Sequence, residues 1–465
     1  MKVMKFGGSS LAEGDRIRSV ASIVSRHGRK NNTAVVLSAM KGVTDLLITS
    51  AGKAAEGDRS YRDELDAVVR KHRETVTALL EGTDELTAAK ELVEGLLEEL
   101  GDLLHGVELV HECSPRTLDV IVSFGERLNC GTVAAYLRTQ GMAATMVDAR
   151  EVIVTDNTHG SAVVEFDATY ARIREKISAL DGAIPVITGF IASTPEGVTT
   201  TLGRNGSDYT ASLFGAALQA EAVEIWTDVD GVLSADPRVV PEAFVVPEIS
   251  LQEAMELSYF GAEVIHPFTM IPAIERGVSL WIKNTLNPLA PGTRISDSPP
   301  PTDRPITGVA GIENVALINV EGGGMMGIPG VASRVFTAMA HAGVNIIMIS
   351  QASSEHSICL VVREHEVERA LRGLRQELDY ELQSRRIDDL VHIPNLEIIA
   401  VIGGNMRGTP GISGRVFSAL GEAGINVLAI AQGSSEMNIS FVVQSSERAH
   451  TLQAVHRAFF PESPA

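Results

Sequence analysis

The last third of the chain repeats itself in register. Gly327-Ile-Pro-Gly-Val-Ala-Ser-Arg-Val-Phe336 returns as Gly408-Thr-Pro-Gly-Ile-Ser-Gly-Arg-Val-Phe417, Val344-Asn345-Ile346 as Ile425-Asn426-Val427, and Gln351-Ala-Ser-Ser-Glu355 as Gln432-Gly-Ser-Ser-Glu436. The steps from 327 to 408, 345 to 426 and 351 to 432 are each 81 residues. Three separate blocks that hold one offset imply two copies of one module. Each copy reads strand, glycine turn, helix, strand, strand, helix, a small α+β unit of the ferredoxin-like kind.

What precedes the repeat is of a different class. Ser296-Asp-Ser-Pro-Pro-Pro-Thr-Asp-Arg-Pro305 has four prolines in ten residues and no apolar period, which marks a linker. Before it, Val3–Phe6 reads as a short buried strand followed by Gly7-Gly8-Ser9-Ser10. A helix then starts near Asp15, a capping residue, with Ile17, Val20, Ala21 and Val24 on one face, and Thr33–Met40 reads as a second buried strand. That order argues for a mostly parallel α/β sheet. Residues 50–112 read as acidic helices, with Leu92, Val93, Leu96, Leu97, Leu100, Leu103 and Leu104 as a packing stripe. A further helix carries Val120, Ile121, Phe124 and Leu128. Strands are expected at Ala144–Val147, Ile184–Ile191, Ala222–Thr227 and Val278–Ile282, and a helix at Leu251–Phe260.

Bulk properties narrow the function classes. At 465 residues the chain is too long for one ordinary core. A net charge of −20 disfavours nucleic acid as a partner, although a local basic pocket for an anion remains compatible with it. Cys113, Cys130 and Cys359 are scattered, so neither a disulfide framework nor a zinc site is expected, and a reducing cytoplasm is the simple assumption. No apolar run is long enough to span a membrane, and the N-terminus lacks the apolar core of a signal peptide.

Three glycine-rich polar stretches fall where strands should end, and no Walker P-loop string occurs. Lys5-Phe-Gly-Gly-Ser-Ser10 reads as a plain turn or as an anion loop, in which Gly7, Gly8 and Ser9 bring backbone N–H groups close and Lys5 adds a positive charge. Thr201-Leu-Gly-Arg-Asn-Gly-Ser-Asp-Tyr209 offers Arg204 for a bidentate pair with a carboxylate and Asp208 to hold Lys5 or a metal. Its bland alternative is a helix cap made by Ser207 or Asp208. Trp226-Thr-Asp-Val-Asp-Gly-Val-Leu-Ser-Ala-Asp-Pro-Arg238 reads as a nucleotide edge at the carboxyl end of a parallel sheet, or as a solvated loop.

Together these stretches resemble the aspartokinases of the amino-acid kinase family. The resemblance includes Ser123-Phe-Gly-Glu-Arg-Leu128, Thr188-Gly-Phe190, Glu224-Ile-Trp-Thr-Asp-Val-Asp-Gly-Val232, Asp236-Pro-Arg238, and Tyr259-Phe-Gly-Ala262 with His266-Pro267, all in the family's order. The doubled module is similar to the family's paired ACT domains. The resemblance implies a three-layer α/β kinase domain over 1–295, a linker over 296–305, and ACT domains over 306–390 and 391–465, with strand exchange between the two foreseen. It implies ATP-dependent phosphorylation of the β-carboxylate of L-aspartate, the first step towards lysine, threonine and methionine, with Mg²⁺ accompanying ATP and no protein metal site. By position, Lys5 resembles the residue that neutralises the transferring phosphoryl group and Asp208 its organiser. Ser38, Thr44, Glu126 and Arg204 resemble the aspartate site, Glu126 taking the ammonium and Arg204 the α-carboxylate. Lys5, Gly7, Gly8, Ser9, Thr227, Asp228, Leu233, Arg238, Glu263 and Val264 resemble the nucleotide site. Two of these depart from many relatives: Leu233 stands where Tyr is common and Glu263 where Lys is common, which puts a side-chain contact from Glu263 to phosphate in doubt. His266 reads as structural.

Asn345, Gln351, Asn426 and Gln432 resemble the effector positions of threonine-sensitive relatives, so threonine is the expected inhibitor and a homodimer or higher homo-oligomer through the ACT domains the expected assembly. The bland reading of Gln351 and Gln432 is that they only cap helices or strands. A fused homoserine dehydrogenase is not expected, because the sequence stops at Ala465. A non-catalytic amino-acid sensor would have lost Lys5, Arg204 or Asp208. Glutamate 5-kinase and N-acetylglutamate kinase generally lack the paired modules and the Ser-Phe-Gly-Glu-Arg stretch.

Overall fold

The structure is a computed structural model and describes residues 1–28, 33–261, 267–300, 302–325, 328–351 and 356–461. The predicted positions Glu263, Val264 and His266 therefore lie outside the described residues. The chain forms two compact units, Met1–Val232 with Val245–Leu251 and Val264–Pro299, and Leu233–Phe244 with Gln252–Glu263 and Pro300–Ala465. These units cut across the boundary that the sequence suggests at residue 295. Among the described residues no helix is long and apolar enough to cross a membrane.

In chain order the first part runs β1 (Lys2–Phe6), α1 (Gly14–Gly28), β2 (Thr33–Leu37), α2 (Val43–Ala55), α3 (Tyr61–Leu80), α4 (Leu86–Val110) and α5 (Pro115–Thr139). It continues through β3 (Ala144–Val147), α6 (Phe166–Ser178), β4 (Ile184–Thr188), β5 (Ile191–Ser193), β6 (Thr199–Thr201), α7 (Gly206–Ala217) and β7 (Ala222–Thr227). It closes with β8 (Glu248–Ser250), α8 (Leu251–Tyr259), α9 (Ile271–Glu275), β9 (Ser279–Asn284) and β10 (Thr293–Ser296). Eight of these strands form one sheet in the order β3-β4-β2-β1-β7-β9-β10-β8, parallel except where β10 meets β9. Met4 and Phe6 of β1 join a core with residues of α1 to α5. Strand alternation turns Val3 and Lys5 to the opposite face, where α7 packs on β1 and on α6 and α9. Helices thus cover both faces, as a parallel sheet requires.

Three local expectations are corrected. α1 starts at Gly14, so Asp15 lies in its first turn, where it pairs with Arg18. The strand read as Ile184–Ile191 is broken at Gly189-Phe190. A Cβ on Gly189 would stand 2.6 Å from Ser207 and 3.0 Å from the Leu37 carbonyl, so the chain bends there to let the start of α7 approach. α2, by contrast, begins only after Gly42, leaving residues 38–42 as a loop rather than a continuation of β2.

The second unit is built on two 14-residue antiparallel strands, β11 (Gly308–Glu321) and β14 (Asp389–Ile402). Between them come α10 (Val331–His341), β12 (Met348–Gln351), β13 (Ser357–Arg363), α11 (Val367–Glu377) and α12 (Asp379–Gln383). After them come α13 (Ile412–Glu422), β15 (Ala429–Ala431), β16 (Asn438–Gln444) and α14 (Arg448–Phe459). The sheet order is β12-β13-β11-β14-β16-β15. Val315–Glu321 pairs with β13, whereas Gly308–Ile312 pairs only with Ile398–Ile402, the part of β14 that pairs with β16. The cores divide the same way: Ile318 and Leu390 join the first, Val309, Ile399 and Val401 the second. Each long strand therefore serves both modules.

The segment Leu233–Phe244 belongs to this unit for a physical reason. Val240 and Ala235 enter the second module's core, Val309 N–H donates to the Ser234 carbonyl (2.8 Å), and Ser234 Oγ meets His456 Nε2 at 2.9 Å. Glu253 of α8 likewise accepts hydrogen bonds from Thr307 and, at 2.8 Å, from Gly404 N–H.

Candidate active site

Parallel strands β4, β2, β1 and β7 are adjacent, so their carboxyl ends present Gly189-Phe190, Ser38–Met40, Gly7–Ser9 and Thr227-Asp228 side by side. The chain leaves β1 for β2 on one side and returns to β7 on the other, which is where such sheets open a crevice. Lys5, one residue before the end of β1, faces the start of α7. Its Nζ lies 2.6 Å from Asp208 Oδ1, and Asn205 Nδ2 donates to Asp208 Oδ2 at 3.1 Å. Lys5 is 12% and Asp208 4% exposed, so this ion pair is largely shielded from water. α7 is capped by Asn205 in the left-handed conformation, without a side-chain hydrogen bond. The carboxylate of Asp208 is spent on Lys5 and Asn205 and does not cap the helix.

A cleft of about 420 Å³ opens beside this pair. Lys5, Gly8, Ser38, Thr44, Glu126 and Asp208 line it, with Asp45, Phe190, Gly203 and Asn205–Ser207. Glu126 comes from the opposite helical layer. α5 begins cleanly, with Ser114 accepting the Thr117 N–H at 3.2 Å and Pro115 in the first turn, and then runs buried past the strand ends. From it Glu126 Oε1 accepts the Ala39 N–H (3.0 Å), and Asn129 Nδ2 donates to the Ser38 carbonyl (2.7 Å), fixing the loop that holds Ser38. Glu126 Oε2 is buried with no hydrogen-bond partner among the described residues. Burial pushes the Glu126 carboxyl up to about 8. An orphaned buried carboxyl oxygen costs free energy until a donor reaches it, and an ammonium group is such a donor.

The remaining expected positions divide. Arg204 follows Gly203 on the cleft rim; it is exposed and enters no ion pair among the described residues. Gly7 N–H already donates to the Trp226 carbonyl (3.3 Å), and Ser10 N–H closes a 3₁₀ turn onto Gly7 (3.0 Å). Gly8 and Ser9 head that turn. Ser10 is buried, its hydroxyl 2.7 Å from Thr285 Oγ1, so it shapes the turn. Thr227 Oγ1 donates to Asp228 Oδ1 (3.1 Å), and Asp228 is exposed. Leu233 and Arg238 lie in the second unit, where Arg238 pairs with Asp236 (2.9 Å). Asn345, Gln351, Asn426 and Gln432 are all exposed; Asn345 and Asn426 precede β12 and β15, Gln351 is the last residue of β12, and Gln432 follows β15. Sequence reasoning missed Asn205 and Asn129. Asparagine in a turn or a helix has no signature of its own, and only the partners Asp208 and Ser38 reveal the role.

Comparison with known proteins follows the same division. The profile of the amino acid kinase family matches residues 1–284, and that of the ACT domain matches residues 318–378 and 399–459. The chain is 41% identical over 98% of its length to bifunctional aspartokinase/homoserine dehydrogenase 2 of Arabidopsis thaliana, of which it spans half, and 36% identical to aspartokinase 1 of the same plant, of which it covers 80%. Its fold matches that of E. coli aspartokinase III in complex with lysine and aspartate, with a TM-score of 0.81 and 30% identity over 99% of both chains. The same enzyme with aspartate and ADP matches with a TM-score of 0.77. The chain belongs to the amino acid kinase family and, within it, to the aspartokinases with paired ACT domains. It spans about half the length of the curated bifunctional relatives it matches.

Proposed function

We propose that the chain is an aspartate kinase, transferring the γ-phosphoryl group of ATP to the β-carboxylate of L-aspartate to give 4-phospho-L-aspartate, the first step towards lysine, threonine and methionine. The observation that carries this reading is one cleft holding both a shielded Lys5–Asp208 pair, 2.6 Å apart, and the orphaned Glu126 oxygen. The aspartate side chain has an ordinary pKa of about 3.9, so it arrives already ionised and needs no general base. What the reaction needs is positioning and neutralisation of phosphoryl charge. Lys5 supplies the charge, and Asp208 and Asn205 fix its ammonium. Glu126 receives the substrate ammonium, Arg204 the α-carboxylate, and Ser38 and Thr44 flank the acceptor. Gly8 and Ser9 donate to phosphate oxygens, while Gly7 contributes shape. Thr227 and Asp228 take the rest of the nucleotide within the first unit. E. coli aspartokinase III, solved with aspartate and ADP, supports this pairing of substrates.

Mg²⁺ belongs to the proposal as the companion of ATP. Among the described residues no group of three His, Cys, Asp or Glu side chains converges; phosphate oxygens and water are the proposed ligands of the ion. Cys113, Cys130 and Cys359 are free thiols, and a reducing cytoplasm is the proposed setting.

Regulation is assigned to the second unit. Threonine is the proposed effector, on Gln351 and Gln432 with Asn345 and Asn426, and a homo-oligomer through the ACT modules is the proposed assembly. The lysine bound to E. coli aspartokinase III favours lysine as the second reading. An assay trapping the acyl phosphate as its hydroxamate, with L-aspartate, L-glutamate or N-acetylglutamate and with threonine or lysine added, tests both parts. Product with aspartate, suppressed by threonine, is expected. Product only with another acceptor overturns the aspartate-kinase reading, and suppression by lysine alone overturns the effector.

A further inference from the structure

One buried carboxylate near the cleft is not explained by contact with either substrate. Asp119, in the first turns of α5, is 2% exposed. Its Oδ1 accepts from Thr201 Oγ1 (2.6 Å) and its Oδ2 from His159 Nδ1 (2.7 Å), and Gly160 N–H points at both oxygens (3.2 Å each). The donors come from two places. Thr201 is the last residue of β6, immediately before the turn Leu202–Asn205 that carries Arg204. His159 and Gly160 belong to the loop after Thr155. That loop is itself braced: Asp156 Oδ1 accepts from the N–H groups of Thr158 (3.1 Å) and Val163 (2.9 Å), and Thr155 Oγ1 meets Thr200 Oγ1 (2.7 Å). Ala162 N–H then donates to the Thr201 carbonyl at 2.9 Å. The Arg204 turn therefore grows from a base that Asp119 ties together.

Asp119 and Glu126 are seven residues apart on one helix, which places them about 20° apart around its axis, two turns along the same face. The helix that delivers Glu126 to the cleft thus also anchors the turn that carries Arg204. We infer that Asp119 is a positioning residue that sets the distance between Arg204 and Glu126, and so fixes how the α-carboxylate and ammonium of an amino-acid acceptor are bound together. This rests on the kinase reading of the cleft and adds a determinant that no contact with substrate would reveal.

Asp119→Asn keeps the shape but replaces one acceptor oxygen with a donor, so the Gly160 N–H loses one of its two acceptors and either His159 or Thr201 must turn from donor to acceptor. Thr201→Val removes a single donor and leaves Asp119 in place. The full chain is assayed with aspartate and ATP varied separately, and thermal shifts are read with aspartate alone and with ADP alone. The expected result is an aspartate KM raised about tenfold in Asp119→Asn and about threefold in Thr201→Val, with the ATP KM within about twofold and the ADP shift retained. If Asp119→Asn does not fold, Thr201→Val decides. An unchanged aspartate KM, or KM values for both substrates rising together, overturns the inference. A wild-type chain inert towards aspartate overturns instead the reading it rests on.

Discussion

Glu126 is the residue whose chemistry is most exposed to test. Burial holds its carboxyl at about 8, so in the free protein the neutral acid predominates below that pH. An ammonium ligand prefers the carboxylate, and binding must therefore release a proton. Below pH 8 the kcat/KM for aspartate should fall about tenfold per pH unit, a slope that initial rates from pH 6 to 8 would show and that Glu126→Gln should abolish together with most activity. Stability runs the other way. Between 4.5 and about 8 the folded state keeps a proton that the unfolded chain has lost, so this group destabilises the fold increasingly as pH rises, by up to about 5 kcal/mol at pH 8. The melting temperature of Glu126→Gln relative to wild type should accordingly rise from pH 5 to pH 8. A gap independent of pH would contradict the raised pKa. At this scale the sequence suggested that Asp208 could hold Lys5, and in the structure the two meet, with Glu126 lining the same cleft. It could not carry Glu126's protonation, because burial by α5 and the 38–42 loop is a property of packing.

Among the elements, α5 does the most to assemble the cleft. The apolar period of Val120, Ile121, Phe124 and Leu128 made it legible as a helix, with Gly125-Glu126-Arg127 inside it. The reason for the glycine appears only in three dimensions. A Cβ on Gly125 would sit 2.8 Å from the Ala39 Cβ, so the helix and the loop after β2 touch there. Gly125→Ala gains helix propensity yet must push that loop away. It should cost about 1–3 kcal/mol by denaturant unfolding and raise the aspartate KM. A variant as stable and as active as wild type would show that the contact is slack. The strands were legible by the same logic up to their ends. Ile184–Ile191 read as one strand because its residues are apolar, but the approach of α7 bends it at Gly189-Phe190, a tertiary constraint without a local sign.

For the molecule as a whole, the repeat of 81 residues announced two modules but not how the chain divides between them. β11 and β14 each serve both modules, and Leu233–Phe244 packs with the second module although it follows β7 directly. Strand exchange between the modules was foreseen from the resemblance, but boundaries drawn in chain order leave out Leu233–Phe244, since hydrogen-bond partners far apart in the chain leave no mark on the sequence between them. The proposed effector positions repeat with the modules, so replacing Gln351 and Gln432 together by Ala should raise the threonine concentration for half-inhibition at least about tenfold. Unchanged inhibition would remove the glutamines from the effector site.

The central claim is that Lys5, held by Asp208, neutralises the phosphoryl group passing from ATP to aspartate. The most direct measurement compares hydroxamate-trapped acyl phosphate from wild type and Lys5→Ala, with ATP and aspartate saturating and circular dichroism confirming that both are folded. Product from wild type and a loss of about a thousandfold or more in the variant are expected. Near-normal turnover by folded Lys5→Ala would contradict it and return Lys5 to the role of a strand-end residue.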